Sequence, residues 1–376
     1  MSKPDPSARD FWQGRRVFVT GHTGFKGAWL WLWLRALGAR LTGYALAPVT
    51  VPSLWEIVCA DARADARADE SSIIADVRDP ARLRAALEAA DPQVVFHLAA
   101  QALVRESYAD PLATFATNVL GTGALLDACR TLAHLECVVV VTSDKVYENK
   151  GTGRAFEEDD RLGGHDPYSA SKAAAEILTQ SFRDSFFAHG APVATARAGN
   201  VIGGGDWSLD RLIPDCVRAL EAGRPVSLRY PDAVRPWQHV LESLDGYLEL
   251  AQALVCAPDS TPRAVNFGPD AASFSTVSAV VEAFSARFAG KPGWQPDRSA
   301  HPSEARALTL SSILAERTLG WRPRLDIDRA LLWTADWYRA HAAGEDMLRF
   351  SEAQIAQYQS LGASRAGARH SGARHK

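Results

Sequence analysis

The sequence predicts an α/β protein with a Rossmann-like, doubly wound parallel sheet and a smaller substrate-binding domain towards the C-terminus. Short apolar runs alternate with helical patterns through the first 200 residues, as in parallel sheets covered by helices. A strand, a glycine-rich turn and a helix stand near the start, the order found in dinucleotide-binding units. After Asn200 the pattern changes to loop-like segments, which indicates a second portion over the carboxyl edge of the sheet.

Composition favours a soluble protein with a small-molecule role. The chain has 376 residues, of which 47% are hydrophobic, so it can bury a large core. Its formal net charge of -3 gives no electrostatic basis for binding nucleic acid or an anionic membrane. Five scattered cysteines without a CxxC motif predict neither a disulfide framework nor a metal site. The polar segment 1–10 lacks the apolar core of a signal peptide, so we expect a cytoplasmic location.

The sheet and its helices are predicted from apolar runs and their spacing. Strand-like runs occur at 16–20, 41–45, 72–75, 94–98, 137–142 and 193–197. Helical patterns lie between or after them, at 80–90, 111–130 and 168–188. The Trp/Leu run 28–34 is far shorter than the ~20 residues of a membrane span. Because a glycine turn precedes it and Gly38 follows it, we predict a buried helix there.

The predicted domain boundaries follow these patterns. Residues 11–200 form the dinucleotide-binding domain, with later segments returning to its sheet, and residues 201–345 form mainly the substrate-binding domain. Loop-like segments at 203–207 and 235–239 flank a predicted helix at 213–222, and further helices are expected between 300 and 341. The segment 363–376 is rich in Arg, His, Gly and Ser without apolar periodicity, which predicts disorder.

The glycine turn is the first candidate for a cofactor site. Gly21-His-Thr-Gly24-Phe-Lys-Gly27 directly follows a buried strand. Glycines at such a turn allow the backbone to approach a pyrophosphate, whose charge lies at a helix N-terminus. The GxxGxxG spacing differs from GxGxxG, and many glycine turns are purely structural. The flanking strand and helix, together with the residues described next, favour a nicotinamide dinucleotide.

Two later segments supply groups that can oxidise an alcohol and then remove water. Tyr168 and Lys172 are four residues apart and share a helix face, where a cation beside a phenol favours the phenolate. Pairs with this spacing are also common on helix surfaces. Ser143, Asp144 and Lys145 add a hydroxyl, an acid and an amine. Together these groups predict an enzyme that acts on a sugar.

Long runs of sequence resemble the extended short-chain dehydrogenase/reductase family and, within it, the group of CDP-D-glucose 4,6-dehydratases. The resemblance covers about residues 11–340. It rests on the following runs: Phe11–Trp12, Gly21–Gly27, Gly43–Pro48, His97–Gln101, Thr142–Lys145, Tyr147–Lys150, Gly163–Lys172, Ala198–Trp207, Asp210–Asp215 and Arg235–Val240. Runs of this length are specific, whereas YxxxK alone would indicate only the superfamily.

The resemblance implies a role for each matching residue. Tyr168 would be the base for oxidation at C4, Lys172 would lower its pKa and hold the nicotinamide ribose, and Ser143 would bind the 4-hydroxyl or the cofactor. Asp144 and Lys145 would remove water across C5 and C6. The implied NAD-binding residues are Gly21, His22, Thr23, Gly24, Phe25, Lys26, Gly27, Asp76, Val77, Leu98, Ala99 and Ala100, with Tyr168 and Lys172. The implied substrate-binding residues are Gln101, Arg105, Asn200, Arg211 and Arg235.

The implied reaction is consistent with the residues that are present. The C5 proton of a hexose becomes acidic only when C4 is a ketone, so oxidation must precede the loss of water. The hydride lent to NAD is then returned to C6, and the enzyme is therefore a lyase. The resemblance implies CDP-D-glucose as substrate, CDP-4-dehydro-6-deoxy-D-glucose as product, a role in deoxysugar and polysaccharide biosynthesis, and a homodimer or homotetramer.

Two departures and two alternatives remain open at this point. No carboxylate follows the second strand, where the dinucleotide rule expects an acid for the ribose, so we expect modest affinity for NAD. Many related enzymes that act on other nucleotides carry Glu at the position of Lys145, which can act either as a base or as a fixed cation. A 4-epimerase would need only Tyr168 and Lys172, and a noncatalytic cofactor sensor would be expected to have lost part of this set.

Overall fold

The computed structural model describes residues 8–62, 70–288, 293–299 and 308–372. A seven-stranded sheet forms the centre, and three two-stranded sheets lie beside it. The strands in chain order are β1 Arg16–Thr20, β2 Arg40–Ala45, β3 Glu70–Ile74, β4 Val94–His97, β5 Cys137–Val141, β6 Val193–Ala198, β7 Val201–Ile202, β8 Val226–Leu228, β9 Val234–Pro236, β10 Gln238–His239, β11 Ala264–Phe267, β12 Phe274–Thr276 and β13 Trp294–Pro296.

The central sheet is parallel throughout, in the order β11-β6-β5-β4-β1-β2-β3. The order reverses between β1 and β4, and ligands of such folds bind outside the carboxyl ends of the strands at this point. The predicted α/β fold class is confirmed. β11 comes from beyond residue 200 and pairs with β6, so the later part of the chain completes the sheet.

Helices cover both faces of this sheet. They are α1 Ala8–Trp12, α2 Phe25–Ala36, α3 Leu54–Ala62, α4 Pro80–Ala90, α5 Val104–Ala109, α6 Pro111–Phe115, α7 Gly121–Cys129, α8 Pro167–Phe186, α9 Leu212–Glu221, α10 Val240–Cys256, α11 Val277–Phe288, α12 Ile313–Leu319, α13 Ile327–Ala342 and α14 Met347–Gly372. Short 3-10 turns stand at Asp144–Val146, Pro258–Ser260 and Ala271–Ser273, and a π-helical turn at Ala116–Leu120.

α2 is the buried helix predicted from the Trp/Leu run. Residues 27–35 are all buried, which explains why the sequence lacks the one-sided apolar pattern of a surface helix. The indole Nε1 of Trp29 donates to Gly204 O at 2.9 Å. Its packing fixes the position of the glycine turn that precedes it.

The segment 235–239, predicted to be loop-like, contains two short strands. β9 pairs antiparallel with β12, and β10 pairs parallel with β7. These pairings join residues that are distant in sequence. Strands of three and two residues are too short to show a strand pattern in the sequence.

α6, the π-helical turn and α7 form one continuous run from Pro111 to Cys129. By length and apolar composition this run could cross a membrane, but core helices of globular proteins pass the same test, and 44% of it is buried within the protein. α14 reaches Gly372 and so includes most of the segment predicted to be disordered. Residues 373–376 lie outside the described residues.

Candidate functional site

The glycine turn between β1 and α2 brings backbone to the carboxyl edge of the sheet. Gly21 has φ of +74°, and an added Cβ would lie 2.7 Å from Ala99 N. A Cβ on Gly27 would lie 2.1 Å from Gly21 O, whereas at Gly24 the nearest atom would be 3.4 Å away. The first and third glycines are therefore required by the fold. Gly24 is exposed and leaves the backbone open to a ligand at the N-terminus of α2.

Two side chains of this turn face the protein interior. His22 is buried beside Gly43, and its Nε2 lies 2.7 Å from Ser72 Oγ. Burial lowers the pKa of His22 to about 4, so the imidazole is neutral. Thr23 Oγ1 donates to Leu46 O at 2.8 Å. Any contact of these two residues with a cofactor would come from their backbone.

The Lys26 side chain extends from α2 to α10. Its Nζ donates to the phenol oxygen of the buried Tyr247 at 3.2 Å. Burial lowers the pKa of Lys26 to about 7, with smaller effects in the same direction from Arg211 and Lys172. The charge of Asp144 has the opposite effect and raises the pKa of Lys26. Lys26 therefore shares one electrostatic environment with the predicted catalytic groups.

The loop after β4 lies against the glycine turn. Thr20 Oγ1 accepts from Leu98 N at 3.1 Å and from Ala99 N at 3.2 Å. It also lies 2.7 Å from Nδ1 of His97, whose pKa burial lowers to about 3. The loop Leu98–Ala100 is thus held where a phosphate-bearing ligand on Gly24 would pass.

Asp76 and Val77 stand just beyond β3. The Asp76 carboxylate is bound by its neighbour Arg78, through Nη2 at 2.6 Å and Nε at 2.9 Å, and this pairing lowers the pKa of Asp76. Val77 is buried against Gly121. The Asp76 side chain is therefore already occupied in this structure.

Ser143, Asp144 and Lys145 form a turn at the end of β5. Ser143 Oγ donates to Asp144 Oδ1 at 3.0 Å and accepts from Lys145 N at 3.2 Å. Lys145 Nζ lies 3.8 Å from Asp144 Oδ1. Asp144 is 1% exposed, and its Oδ2 has no donor among the residues that the structure describes. A buried acid thus stands beside a partly exposed amine.

Tyr168 and Lys172 lie on the first turns of α8, which begins after the capping residue Asp166. Ser143 hydrogen-bonds to the Tyr168 phenol. Lys172 Nζ donates to Val141 O at 3.1 Å, and burial lowers the pKa of Lys172 to about 8. The expectation that Lys172 lowers the pKa of Tyr168 stays a prediction. Burial raises the pKa of Tyr168, while Ser143 and then Arg211 oppose that effect.

The five predicted substrate residues occupy different environments. The side chain of Gln101 is bound by protein groups, because its Nε2 donates to Leu103 O and to Thr114 Oγ1. Arg105 is half exposed and forms an ion pair with Asp210 at 2.8 Å. Arg211 stands at the start of α9, where its charge acts on Tyr168. Arg235 is buried on β9 and Asn200 is half-buried before β7.

Sequence reasoning missed two residues of this site. Asn118 lies on the π-helical turn and donates from Nδ2 to Gln101 O at 3.0 Å and to Ser171 Oγ at 2.8 Å. It joins the loop after β4 to α8. A buried amide within an apolar helix was the available signal. Tyr247 gave no local signal, because only the tertiary fold brings α10 to Lys26.

The chain is similar to known proteins in both sequence and fold. A family model described as GDP-mannose 4,6 dehydratase matches residues 18–332. The CDP-glucose 4,6-dehydratase of Salmonella typhimurium is 44% identical over 358 residues, which cover 94% of this chain and 98% of that protein. A structure of MoeE5 with UDP-glucuronic acid and NAD superposes with a TM-score of 0.72 at 27% identity, covering 86% of this chain and 99% of that one. A dTDP-glucose 4,6-dehydratase from Bacillus anthracis, in complex with NAD, has the same fold, with a TM-score of 0.72, 21% identity and coverage of 89% and 100%.

Proposed function

Because the chain belongs to the GDP-mannose 4,6 dehydratase family, we propose that it converts CDP-D-glucose to CDP-4-dehydro-6-deoxy-D-glucose and water, with NAD as cofactor. The observation that carries this proposal is the buried Asp144 with Lys145 on a turn that contacts Tyr168 through Ser143. A 4-epimerase needs Tyr168 but has no use for this acid and amine. The choice of CDP-glucose is supported by the relative from Salmonella.

Tyr168, Ser143 and Lys172 would perform the first step. The Tyr168 phenolate takes the proton of the 4-hydroxyl while the C4 hydride leaves, so C4 becomes a ketone. Ser143, already bonded to the phenol, holds the same hydroxyl. Lys172 lies one helical turn further on and stabilises the phenolate. The bound cofactor supplies the hydride acceptor for oxidation and the hydride donor for the closing reduction.

Asp144 and Lys145 would perform the elimination. The ketone acidifies the C5 hydrogen, and Lys145 removes this proton or stabilises the resulting enolate as a cation. Asp144 donates a proton to the C6 hydroxyl, the C6–O bond breaks and water leaves. C6 would then receive the hydride that left C4 and C5 would regain a proton, so the electrons balance and no external oxidant is consumed.

The glycine turn would hold the cofactor's pyrophosphate. Gly24 presents open backbone at the N-terminus of α2, and the loop Leu98–Ala100 lies beside it. No carboxylate stands at the end of β2 to clamp a ribose. We therefore expect modest affinity, which calorimetry with added NAD measures directly. Purification with stoichiometric, non-dissociating NAD would contradict this expectation.

Arginines near the catalytic residues would bind the substrate's diphosphate. Arg211 caps α9, where its charge acts on Tyr168, and Arg235 lies on β9. A guanidinium suits forked binding of phosphate oxygens. Arg105 would join them after release from Asp210. Asn200 adds an amide at the same edge.

The decisive experiment incubates the purified protein and NAD with CDP-, dTDP-, GDP- and UDP-glucose separately. We expect a product lighter by one water from CDP-glucose, detected by mass spectrometry, and little product from the other three. An isomer of unchanged mass would instead indicate an epimerase. Turnover of another nucleotide in preference to CDP would overturn the assigned base.

The protein would act as a homodimer, with a homotetramer as the alternative assembly. The run Pro111–Cys129 and the adjoining α8 present exposed apolar side chains, with Leu112, Leu120 and Ile177 at 81%, 68% and 58% exposure. A second copy of the chain would cover these side chains. Stable interfaces bury about 800 Å² per partner. Light scattering should give a dimer that Leu120→Asp disrupts and the control Ile313→Asp does not. A wild-type monomer would reject this assembly.

A further inference from the structure

Glu176 and Arg197 form a buried ion pair beneath the catalytic residues. Arg197 Nε donates to Glu176 Oε1 at 2.9 Å, and Nη2 donates to Oε2 at 2.8 Å. Both side chains are less than 5% exposed. Burying two charges costs desolvation energy that such a pair often only recovers, so stability alone is a weak explanation for it.

The pair anchors both ends of the segment that carries the elimination groups. Thr142 Oγ1, before Ser143, donates to Glu176 Oε1 at 2.5 Å. At the other end, Arg197 Nη1 donates to the Tyr147 phenol at 2.8 Å, and Tyr147 donates to Asn266 Oδ1 at 2.6 Å. The residues on either side of the turn with Asp144 and Lys145 are thus each hydrogen-bonded to the same ion pair.

The same pair is joined to the oxidation groups through α8. Glu176 follows Lys172 by one helical turn and Tyr168 by two, and all three side chains are buried. The charge of Glu176 acts on Lys172, where it opposes the effect of burial on the pKa. The helix that carries the oxidation groups and the turn that carries the elimination groups therefore share one support.

We propose that the Glu176–Arg197 pair is a positioning device that keeps Asp144 and Lys145 in register with Tyr168 and Lys172. With this register, a substrate oxidised at C4 loses water before it can dissociate. The inference rests on the proposed dehydratase function. Neither Glu176 nor Arg197 touches the reacting atoms, and both act through the segment 142–147.

Two matched threonine variants test the proposal. Thr142 and Thr195 each donate one hydroxyl hydrogen bond to Glu176, at 2.5 and 2.7 Å, but only Thr142 is joined to the elimination turn. In single turnovers, we expect Thr142→Val to form NADH at close to the wild-type rate. Its loss of water should be slower by about 10- to 100-fold, the effect of a small misplacement of reacting groups. Thr195→Val should remain coupled, as in the wild type.

A second variant probes the other anchor. Tyr147→Phe removes the hydroxyl that Arg197 holds but keeps the ring that stacks on Phe156. We expect it also to accumulate NADH and to release a 4-keto sugar that still carries its 6-hydroxyl. Absorbance follows NADH, and quenched samples analysed by mass spectrometry follow the loss of water.

The possible outcomes separate this inference from the proposed function. If Thr142→Val and Thr195→Val divide oxidised substrate between dehydration and release in the same ratio, the positioning role is wrong. Equal slowing of both steps in Thr142→Val and Tyr147→Phe would also overturn it, because that result indicates general structural damage. A wild-type protein that never dehydrates a sugar nucleotide would instead refute the proposed function.

Discussion

The phenol of Tyr168 is the residue on which the oxidation step depends. Replacing it with Phe keeps the ring and Lys172 but removes the acidic group. We expect Tyr168→Phe to lower turnover by at least ~10²–10⁴-fold while NAD binding persists. Because burial raises the pKa of Tyr168 and the phenolate is the active form, wild-type oxidation should accelerate as the pH rises. Stopped-flow NADH formation at several pH values measures the loss of oxidation in the variant and the pH dependence of the wild type. Near-wild-type turnover of the variant would overturn the assignment.

Lys145 determines whether elimination uses a base or a fixed cation. Its Nζ is 3.8 Å from Asp144 Oδ1 and its side chain is 29% exposed, so a bound substrate can contact it. We expect Lys145→Gln to oxidise C4 and accumulate bound NADH in a single turnover without losing water. Absorbance and mass spectrometry distinguish these steps. A folded variant that forms no NADH would show that Lys145 acts in oxidation or binding.

Lys145→Glu distinguishes the two elimination mechanisms. A carboxylate can accept the C5 proton but cannot replace a cation beside an enolate. Recovery of dehydration relative to Lys145→Gln would favour proton abstraction, and continued loss would favour the fixed cation. A structural ion pair with Asp144, the remaining alternative, predicts loss of thermal stability in both variants without a selective block of elimination.

The sequence predicted which residues would form the site better than it predicted what each contacts. Tyr168, Lys172 and Ser143 come together as expected, because they lie at strand ends and helix starts on one edge of the sheet. His22 and Gln101 were read as ligand contacts, yet their side chains bind protein groups. Glu176 was not singled out, because its partners are distant in sequence: Thr142 lies just after β5, and Thr195 and Arg197 lie on β6.

At the scale of elements, the glycine turn before α2 contains one glycine that the fold requires and another that we expect to serve ligand binding. A Cβ on Gly27 would collide with backbone at 2.1 Å, whereas on Gly24 it would meet only ordinary contacts. We expect Gly27→Ala to destabilise the protein by about 1–3 kcal/mol or more. Gly24→Ala should leave the melting temperature nearly unchanged and weaken NAD binding about tenfold, or ~1.4 kcal/mol.

Thermal melts and calorimetry on the two variants check this contrast. Unfolding of Gly24→Ala at a markedly lower temperature would mean that the middle glycine also serves packing. Unchanged NAD affinity in a stable Gly24→Ala would place the pyrophosphate elsewhere.

Elements with a strong local pattern were predicted within a few residues. The helix predicted at 80–90 is observed at Pro80–Ala90, where Asp79 caps it and Pro80 begins it. The strand predicted at 16–20 is observed with the same limits. The π-helical turn at Ala116–Leu120 was not predicted, because an extra residue per turn leaves little trace in composition.

At the scale of the whole molecule, a buried polar cluster fastens α14 to α10. Glu242 accepts from Arg324 N at 2.8 Å, from Leu325 N at 2.6 Å and from the Tyr358 phenol at 2.7 Å. Asp245 Oδ2 lies 2.9 Å from Arg324 Nη2. Burial raises the pKa of Glu242 to about 7 and that of Asp245 to about 8.

This cluster makes stability depend on pH. A carboxyl with a raised pKa binds more protons in the folded than in the unfolded state, so the free energy of unfolding falls as pH rises. The window runs from the unfolded pKa near ~4 up to the folded values of about 7 and 8. We expect Asp245→Asn to reduce this slope by up to ~1.4 kcal/mol per pH unit.

Denaturant unfolding between pH 5 and 8 (roughly the window in question) measures the slope. Asp328→Asn is the control, because that carboxylate is 73% exposed and lies outside the cluster. An unchanged slope in Asp245→Asn would show that Asp245 does not exchange a proton on unfolding in this range.

The position of β11 has a consequence for the nascent chain during synthesis on the ribosome. β6 pairs on one side with β5 and on the other with β11, which is made only after all of α8, α9 and α10. Until residue 267 emerges, β6 offers a bare edge of unpaired amides and carbonyls to neighbouring polypeptides. Chaperones would be most needed during that interval, and a fragment cut at residue 200 would keep the edge permanently and tend to aggregate.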